Sequence, residues 1–275
     1  MYDTQFQLDH RFDRGVQSGA WLLTDNAGRQ AVLKWSPNRD WAPQIERAAA
    51  AVAKIRAAGY PTPAWLAVGT TTSGFGYQIQ DFVPGRSQEQ VTVDEARLLI
   101  DVLETHAGLD PDPQRCWSQY VTRMTNERED LCRQLAQTGP PGRRLVDACE
   151  QLLATHGPVT LPTGDLVHGD FRPSNILFDA GRVSGVIDIE ALGSGTRVFD
   201  YATLLSAHDI TPEAMDLLCT AGELVAGPPA LAYCYAHIAL GLAVFVHQRN
   251  LQRGIKNVSN LVERAEILLN RAHGV

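Results

Sequence analysis

The stretch Leu166-Val167-His168-Gly169-Asp170-Phe171-Arg172-Pro173-Ser174-Asn175-Ile176-Leu177-Phe178, followed by Gly185-Val186-Ile187-Asp188-Ile189-Glu190, decides how the chain is read. An aspartate stands in a proline-bearing loop, an asparagine follows five residues on, and a second aspartate closes an apolar run thirteen residues later. Between them Ala180-Gly181-Arg182 reads as the turn of a small hairpin, which folds Asn175 and Asp188 toward each other. Singly, each has a plain reading: Asp170 as a turn cap, Asn175 as a local loop bond, Asp188 as a strand end. Together they are the set that phosphoryl transfer needs. One carboxylate orients or deprotonates an acceptor hydroxyl, while an amide oxygen and a second carboxylate hold Mg²⁺ against phosphates.

Outward from this island the chain has two periodicities. Up to Val83 it reads as strands: Ala20–Thr24 and Gln30–Trp35 form a hairpin about Asp25-Asn26-Ala27-Gly28, and Trp65–Val68 and Phe75–Val83 follow. One strong helix interrupts them, from an N-cap at Asp40 to Gly59 and Pro61. Beyond Gly85 the pattern predicts helices over 93–107, 115–137, 142–155, 212–225, 229–249 and 257–272. The expected class is α+β: a small strand-rich lobe over 1–83, a hinge near 80–87, and a larger helical lobe over 84–275 that carries the island. Ligands often bind between such units.

Composition bounds the function. The 275 residues carry Lys+Arg 24 against Asp+Glu 31, a formal charge of -7, which argues against a nucleic-acid binder and suits small cationic ligands. Hydrophobic residues at 44% and charged residues at 20% exclude a disordered chain. The five cysteines are scattered, with no Cys-x-x-Cys pair, so a zinc site or disulfide framework is not expected and a reducing cytoplasm is. The N-terminal sequence shows no apolar run after a basic start. Ala230–Val246 is apolar but would reach only about 25 Å as a helix, short of a bilayer core of about 30 Å, and holds His237 midway. A buried core helix is expected, with no membrane and no obligate protein partner.

The pair His168-Gly-Asp-Phe-Arg-Pro-Ser-Asn175 and Gly185-Val-Ile-Asp-Ile-Glu190 resembles the phosphotransferases of the aminoglycoside phosphotransferase and choline-kinase type. The resemblance implies a two-lobed protein-kinase-like fold, ATP and Mg²⁺ as cofactors, Asp170 as catalytic base, and Asn175 and Asp188 as the metal ligands. Arg172, two residues after Asp170, would stabilise the transferring phosphoryl group or form a structural ion pair. His168 reads as an ordering donor, and Asp200 resembles the family's structural aspartate.

The small lobe offers what ATP needs. Lys34 shares a strand face with Val32, so it can reach the α- and β-phosphates while Val32 roofs the adenine. Glu46 is the only carboxylate on the following helix after its N-cap, and a Lys34–Glu46 ion pair is expected. Ser18 and Gly19, ending Arg14-Gly15-Val16-Gln17-Ser18-Gly19, are expected to cradle phosphate with backbone N–H groups. By the family pattern the backbone of Asp81 accepts from the adenine amine, and that of Val83 donates to the ring.

For the acceptor, Ile189-Glu190 after Asp188 departs from the Phe-Gly of protein kinases, so a small molecule is expected. Glu190, Asp209, Glu213, Asp216 and Glu223 offer carboxylates for a cationic pocket, though solvated helix faces explain each equally well. The chain as a whole is similar to the viomycin and capreomycin phosphotransferases, which implies transfer to a hydroxyl of a cationic cyclic-peptide antibiotic and hence resistance. An aminoglycoside, a metabolite kinase of choline, sugar or homoserine type, and a non-catalytic kinase-fold binding module are the alternatives.

Overall fold

Apolar alternation on either side of Asp25-Asn26-Ala27-Gly28 builds the hairpin that starts the sheet. The Asp25 carboxylate accepts from the backbone N–H of Ala27 and Arg29 at 2.9 and 2.8 Å, which closes the turn. In the computed structural model, which describes residues 5–12, 19–207, 209–249 and 254–272, five strands form one antiparallel sheet. They are β1 (Phe6–Arg11), β2 (Gly19–Asp25), β3 (Gln30–Trp35), β4 (Trp65–Thr70) and β5 (Gly76–Asp81), in the order β1-β2-β3-β5-β4. The edge strand β1 adds to the sequence reading. All its residues after Phe6 are exposed, so it has no buried alternation to reveal it.

Helix α1 (Ala42–Ala57) packs on β4 and β5 and buries Ala42, Ile45, Ala48, Ala51, Val52 and Ile55. A side chain at Gly76 would bring its Cβ to 2.7 Å from the Ala42 Cα, so only glycine lets the helix start this close to β5. The entry lies earlier than Asp40: Asn38 Oδ1 accepts from the Asp40 N–H at 3.0 Å and caps a 3-10 turn, Arg39–Trp41, that leads into α1.

The chain continues through α2 (Val93–Thr105), α3 (Trp117–Asn126), α4 (Glu129–Gln137), α5 (Pro140–His156), β6 (Asp165–Val167), β7 (Ile176–Asp179), β8 (Arg182–Val186), β9 (Gly193–Gly195), α6 (Val198–Leu205), α7 (Pro212–Gln248) and α8 (Gly254–Ala272). It divides into two compact units, Met1–Ser87 with Asn175–Leu192, and Gln88–Ser174 with Gly193–Val275. The β7–β8 hairpin thus groups with the first unit. Hydrogen bonds tie that hairpin to the first unit: Arg86 and Phe178 exchange both backbone bonds at 3.0 Å, Ser184 Oγ donates to the Pro84 carbonyl at 2.7 Å, and the Val186 N–H donates to the Pro61 carbonyl at 2.6 Å.

In the second unit a capping box formed by Thr92 and Glu95 opens α2. The helix expected over 115–137 is two helices, α3 and α4. The apolar helix α7 kinks where Ala226 and Gly227 (φ +84) leave helical geometry ahead of Pro228-Pro229, between the two helices the sequence predicts. Its apolar window is long enough to cross a membrane, but 72% of that window is buried inside the protein. Tyr235 there is fully buried and donates to the Leu261 carbonyl of α8 at 2.9 Å. Arg271 of α8 pairs with Asp216 and with Glu223 of α7, the latter at 2.8 Å.

Candidate active site

In the first unit, antiparallel register puts Val32 and Lys34 of β3 opposite Gln80 and Gln78 of β5, so all four share a sheet face. Lys34 Nζ donates to Asp188 Oδ1 at 2.8 Å and to Glu190 Oε1, while Gln78 Nε2 donates to Glu190 Oε1 at 2.6 Å. The Lys34 and Glu190 side chains are only 10% and 13% exposed, against 47% for Asp188. Burial works to lower the lysine's pKa, but the Glu190 and Asp188 carboxylates outweigh it and hold the ammonium above its ordinary value. The positive charge is fixed here.

Asn175 and Asp188 belong to the same unit and lie at the open end of the β7–β8 hairpin. The Ile187 N–H donates to the Asn175 carbonyl at 2.9 Å, one residue before Asp188. Ala180 (φ +47) and Gly181 (φ +73) make the two-residue turn at the far end. Asp188 itself takes the left-handed conformation (φ +61), unusual for a residue other than glycine and concentrated at functional positions. Asn175 is buried and offers an amide oxygen; Asp188 is half exposed and offers a carboxylate. Among the described residues no cluster of three His, Cys, Asp or Glu side chains forms a metal cage. A two-oxygen donor set fits Mg²⁺, which takes one or two protein ligands and fills its shell with phosphate and water.

Two sequence expectations need correction. Glu46 does not meet Lys34: it is exposed and accepts from Thr70 Oγ1 at 3.1 Å. The buried stripe of α1 runs through Ile45, Ala48, Val52 and Ile55, and the residue after Ile45 is rotated about 100° off that stripe. Arg47 and Gln44 reach the site instead. Arg47 Nη2 donates to the Leu192 carbonyl at 3.0 Å, and Gln44 Nε2 to the Glu190 carbonyl at 3.4 Å. Glu190, expected to face a substrate, is the lysine's partner. Gln78 and Arg47 escaped the sequence reading because neither residue type announces a site.

The remaining nucleotide candidates sit as follows. Gly19 opens β2, paired with Trp35, and Ser18 lies outside the described residues. Asp81 ends β5, where its N–H donates to the Ala64 carbonyl at 2.8 Å and its carboxylate accepts from Arg29 at 2.7 Å. Val83 packs on Gly185 of β8, where a Cβ would lie 2.9 Å from its Cγ1.

In the second unit, Asp200 of α6 is fully buried and holds the loop that carries Asp170. Its carboxylate accepts from the His168 N–H at 2.7 Å and from the Gly169 N–H at 3.1 Å. The Asp170 N–H donates to His168 Nδ1 at 3.1 Å, and Arg172 Nε donates to Asp170 Oδ1. Gly169 is left-handed (φ +85), and a Cβ there would lie 2.3 Å from Trp117 Cζ2, so the loop passes directly over the indole. Burial pushes the Asp200 carboxyl up to about 7, against the two backbone donors that favour its charged form.

The chain has counterparts among known proteins. A family model described as a phosphotransferase enzyme family matches residues 10–234. The chain belongs to that family. The chain is similar in structure to the aminoglycoside phosphotransferase APH(4)-Ia, a thermostable mutant in ternary complex with AMP-PNP and hygromycin B. That match has a TM-score of 0.68 and 17% identity, over 100% of this chain and 95% of the other. The macrolide 2'-phosphotransferase MphH from Brachybacterium faecium matches at TM-score 0.59 and 17% identity, over 94% of each chain. The fold is therefore protein-kinase-like, with a small antiparallel-sheet lobe and a larger helical lobe. Among curated proteins, the homoserine kinase of Phenylobacterium zucineum (strain HLK1) is 29% identical over 170 residues, 58% of this chain and 50% of that one. The homoserine kinase of Chelativorans sp. (strain BNC1) is 34% identical over 88 residues, 32% of this chain and 27% of that one. The chain thus aligns with half or less of the length of these relatives.

Lys34→Met or Glu190→Leu each strands a buried charge and is expected to cost about 3 kcal/mol in urea unfolding, while the double variant costs well below the sum. Additive costs would mean that the pair is not coupled. Asp200 has a folded pKa above its unfolded value of about 3.8, so its contribution to stability is complete below pH 4 and is lost as pH rises through about 7. Asp200→Asn should flatten the fall in stability between pH 4 and 7, measured by thermal melts across that range.

Proposed function

We propose that this phosphotransferase moves the γ-phosphate of ATP to a hydroxyl of a small molecule, in the cytoplasm where ATP is abundant. The observations that carry the reading are the convergence of Lys34, Asn175 and Asp188 within one compact unit and, within the other, a loop whose backbone before Asp170 is held by Asp200. Residues 1–83 form the nucleotide lobe. Lys34 meets the α- and β-phosphates, Val32 covers the adenine, the backbone of Asp81 and Val83 reads its edge, and Gly19 lies over the phosphates. Asn175 and Asp188 would hold Mg²⁺, which when bound neutralises phosphate charge. Lys34 lends Asp188 a compensating charge from the protein itself.

Asp170 orients and deprotonates the acceptor hydroxyl. Its ion pair with Arg172 holds the carboxylate in one orientation. The acceptor reading drawn from the sequence, a cationic cyclic peptide such as capreomycin or viomycin, calls for an anionic surface. Of the five carboxylates the sequence offers for one, Glu190 is held by Lys34, Asp216 and Glu223 by Arg271, and Asp209 by Gln90, which leaves the exposed Glu213. Those engagements, with two homoserine kinases among the relatives, favour a second reading: an alcohol of hydroxy amino acid type.

Asp170→Ala tests the chemistry. Turnover, followed as ADP release in the presence of acceptor, is expected to fall at least 1,000-fold, roughly the loss when a general base is removed, with ATP affinity within about twofold of the parent. Near-parental turnover would overturn the assignment.

A further inference from the structure

Four rings close on one another in the second unit, next to the loop that carries Asp170. Trp117 and Tyr120, one turn apart on α3, meet edge-to-face at 5.4 Å between centroids. Tyr120 meets His237 of α7 edge-to-face at 5.7 Å, His237 lies 6.3 Å from Phe199 of α6, and Phe199 lies 4.7 Å from Trp117. Glycines make room for the indole: besides Gly169, a Cβ at Gly193 would come within 3.0 Å of Trp117 Cδ1. The ring cluster therefore begins at the residue before Asp170 and leads away from it along α3.

Two members of this cluster are not fully buried. Tyr120 is 40% exposed, one of few large aromatic side chains so open. His237 is half-buried in the middle of an apolar helix, yet among the described residues its ring nitrogens have no hydrogen-bond partner. Burial lowers its pKa to about 4, so at neutral pH it offers one donor and one acceptor without charge.

Two guanidiniums lie over rings of the cluster. The Arg115 guanidinium lies 5.4 Å from the Trp117 ring centre and that of Arg123 5.9 Å from the Tyr120 ring centre. The protein's own cations thus take the ring surfaces that a cationic ligand would use. Arg123 is exposed, on the turn of α3 after Tyr120.

We propose that Trp117, Tyr120, Arg123 and His237 form the acceptor subsite, and that they select an alcohol bearing a carboxylate, with Arg123 pairing the carboxylate and His237 hydrogen-bonding a second polar group. This rests on Asp170 being the base, since the subsite is placed by its proximity to Gly169. The acceptor's hydroxyl lies at Asp170, its short carbon chain against the Trp117 and Tyr120 edges, and its carboxylate toward Arg123. No new covalent step is involved: the acceptor oxygen bonds to phosphorus, its proton passes to Asp170, and ADP leaves.

The test measures ATP-dependent phosphorylation of L-homoserine, of 3-amino-1-propanol (the same chain without the carboxylate), and of capreomycin. The parent should use L-homoserine with kcat/KM at least 10-fold above the other two. Arg123→Met should raise the KM for L-homoserine at least 10-fold with the KM for ATP within twofold, and erase the preference over 3-amino-1-propanol; Arg123→Lys should restore part of it. His237→Phe should raise the same KM, and His237→Gln should recover it, with thermal melts showing every variant folded. If capreomycin or 3-amino-1-propanol is used as well as L-homoserine, or Arg123→Met leaves the KM unchanged, the subsite is wrong and phosphoryl transfer stands. If the parent phosphorylates none of the three, nor any alcohol in a wider panel, the reading of the active site falls and the subsite with it.

Discussion

A buried ammonium between two carboxylates organises the first unit. Lys34 sits on a β-strand, Asp188 and Glu190 on the turn after a hairpin far along the chain, and only their mutual charge makes burial of either tolerable. Several local features serve that contact. Gln78 meets the Glu190 carboxylate from the neighbouring strand, Arg47 and Gln44 grip the backbone of the turn, and Asp188 adopts a left-handed conformation. The network leaves the Asp188 carboxylate half exposed.

A second carboxylate governs the other unit in the same manner. Asp200 gives up solvation to accept two consecutive backbone N–H groups, those of His168 and Gly169. Its neighbour Phe199 stacks on Trp117, and Trp117 fits beneath Gly169. One turn of α6 therefore fixes the Asp170 loop twice, electrostatically through Asp200 and sterically through the indole. Preorganisation of this kind lets a base work without first finding its place.

The fold class was largely legible because its signals are local. Asp25-Asn26-Ala27-Gly28 marks one hairpin, Ala180-Gly181 another, and Pro228-Pro229 a helix break; each acts within a few residues. The spacing of Asp170, Asn175 and Asp188 was legible for the same reason. Hidden were contacts set by packing across the chain. Glu46 and Glu190 are both carboxylates that a lysine would welcome, and only the rotation of α1 about its buried stripe excludes the first. The grouping of the β7–β8 hairpin with the first unit depends on bonds to Pro61, Pro84 and Arg86, and the slot for Trp117 on glycines at 169 and 193. No periodicity reports such pairings.

The central claim is that Asn175 and Asp188 hold the cation that binds nucleotide phosphates. Calorimetric titration with a non-hydrolysable ATP analogue, with and without Mg²⁺, tests it most directly in the parent and in Asp188→Asn. The account requires Mg²⁺ to tighten binding at least 10-fold in the parent and to have little effect in the variant. Equal binding with and without Mg²⁺ in the parent, or an unchanged Mg²⁺ effect in Asp188→Asn, would contradict it.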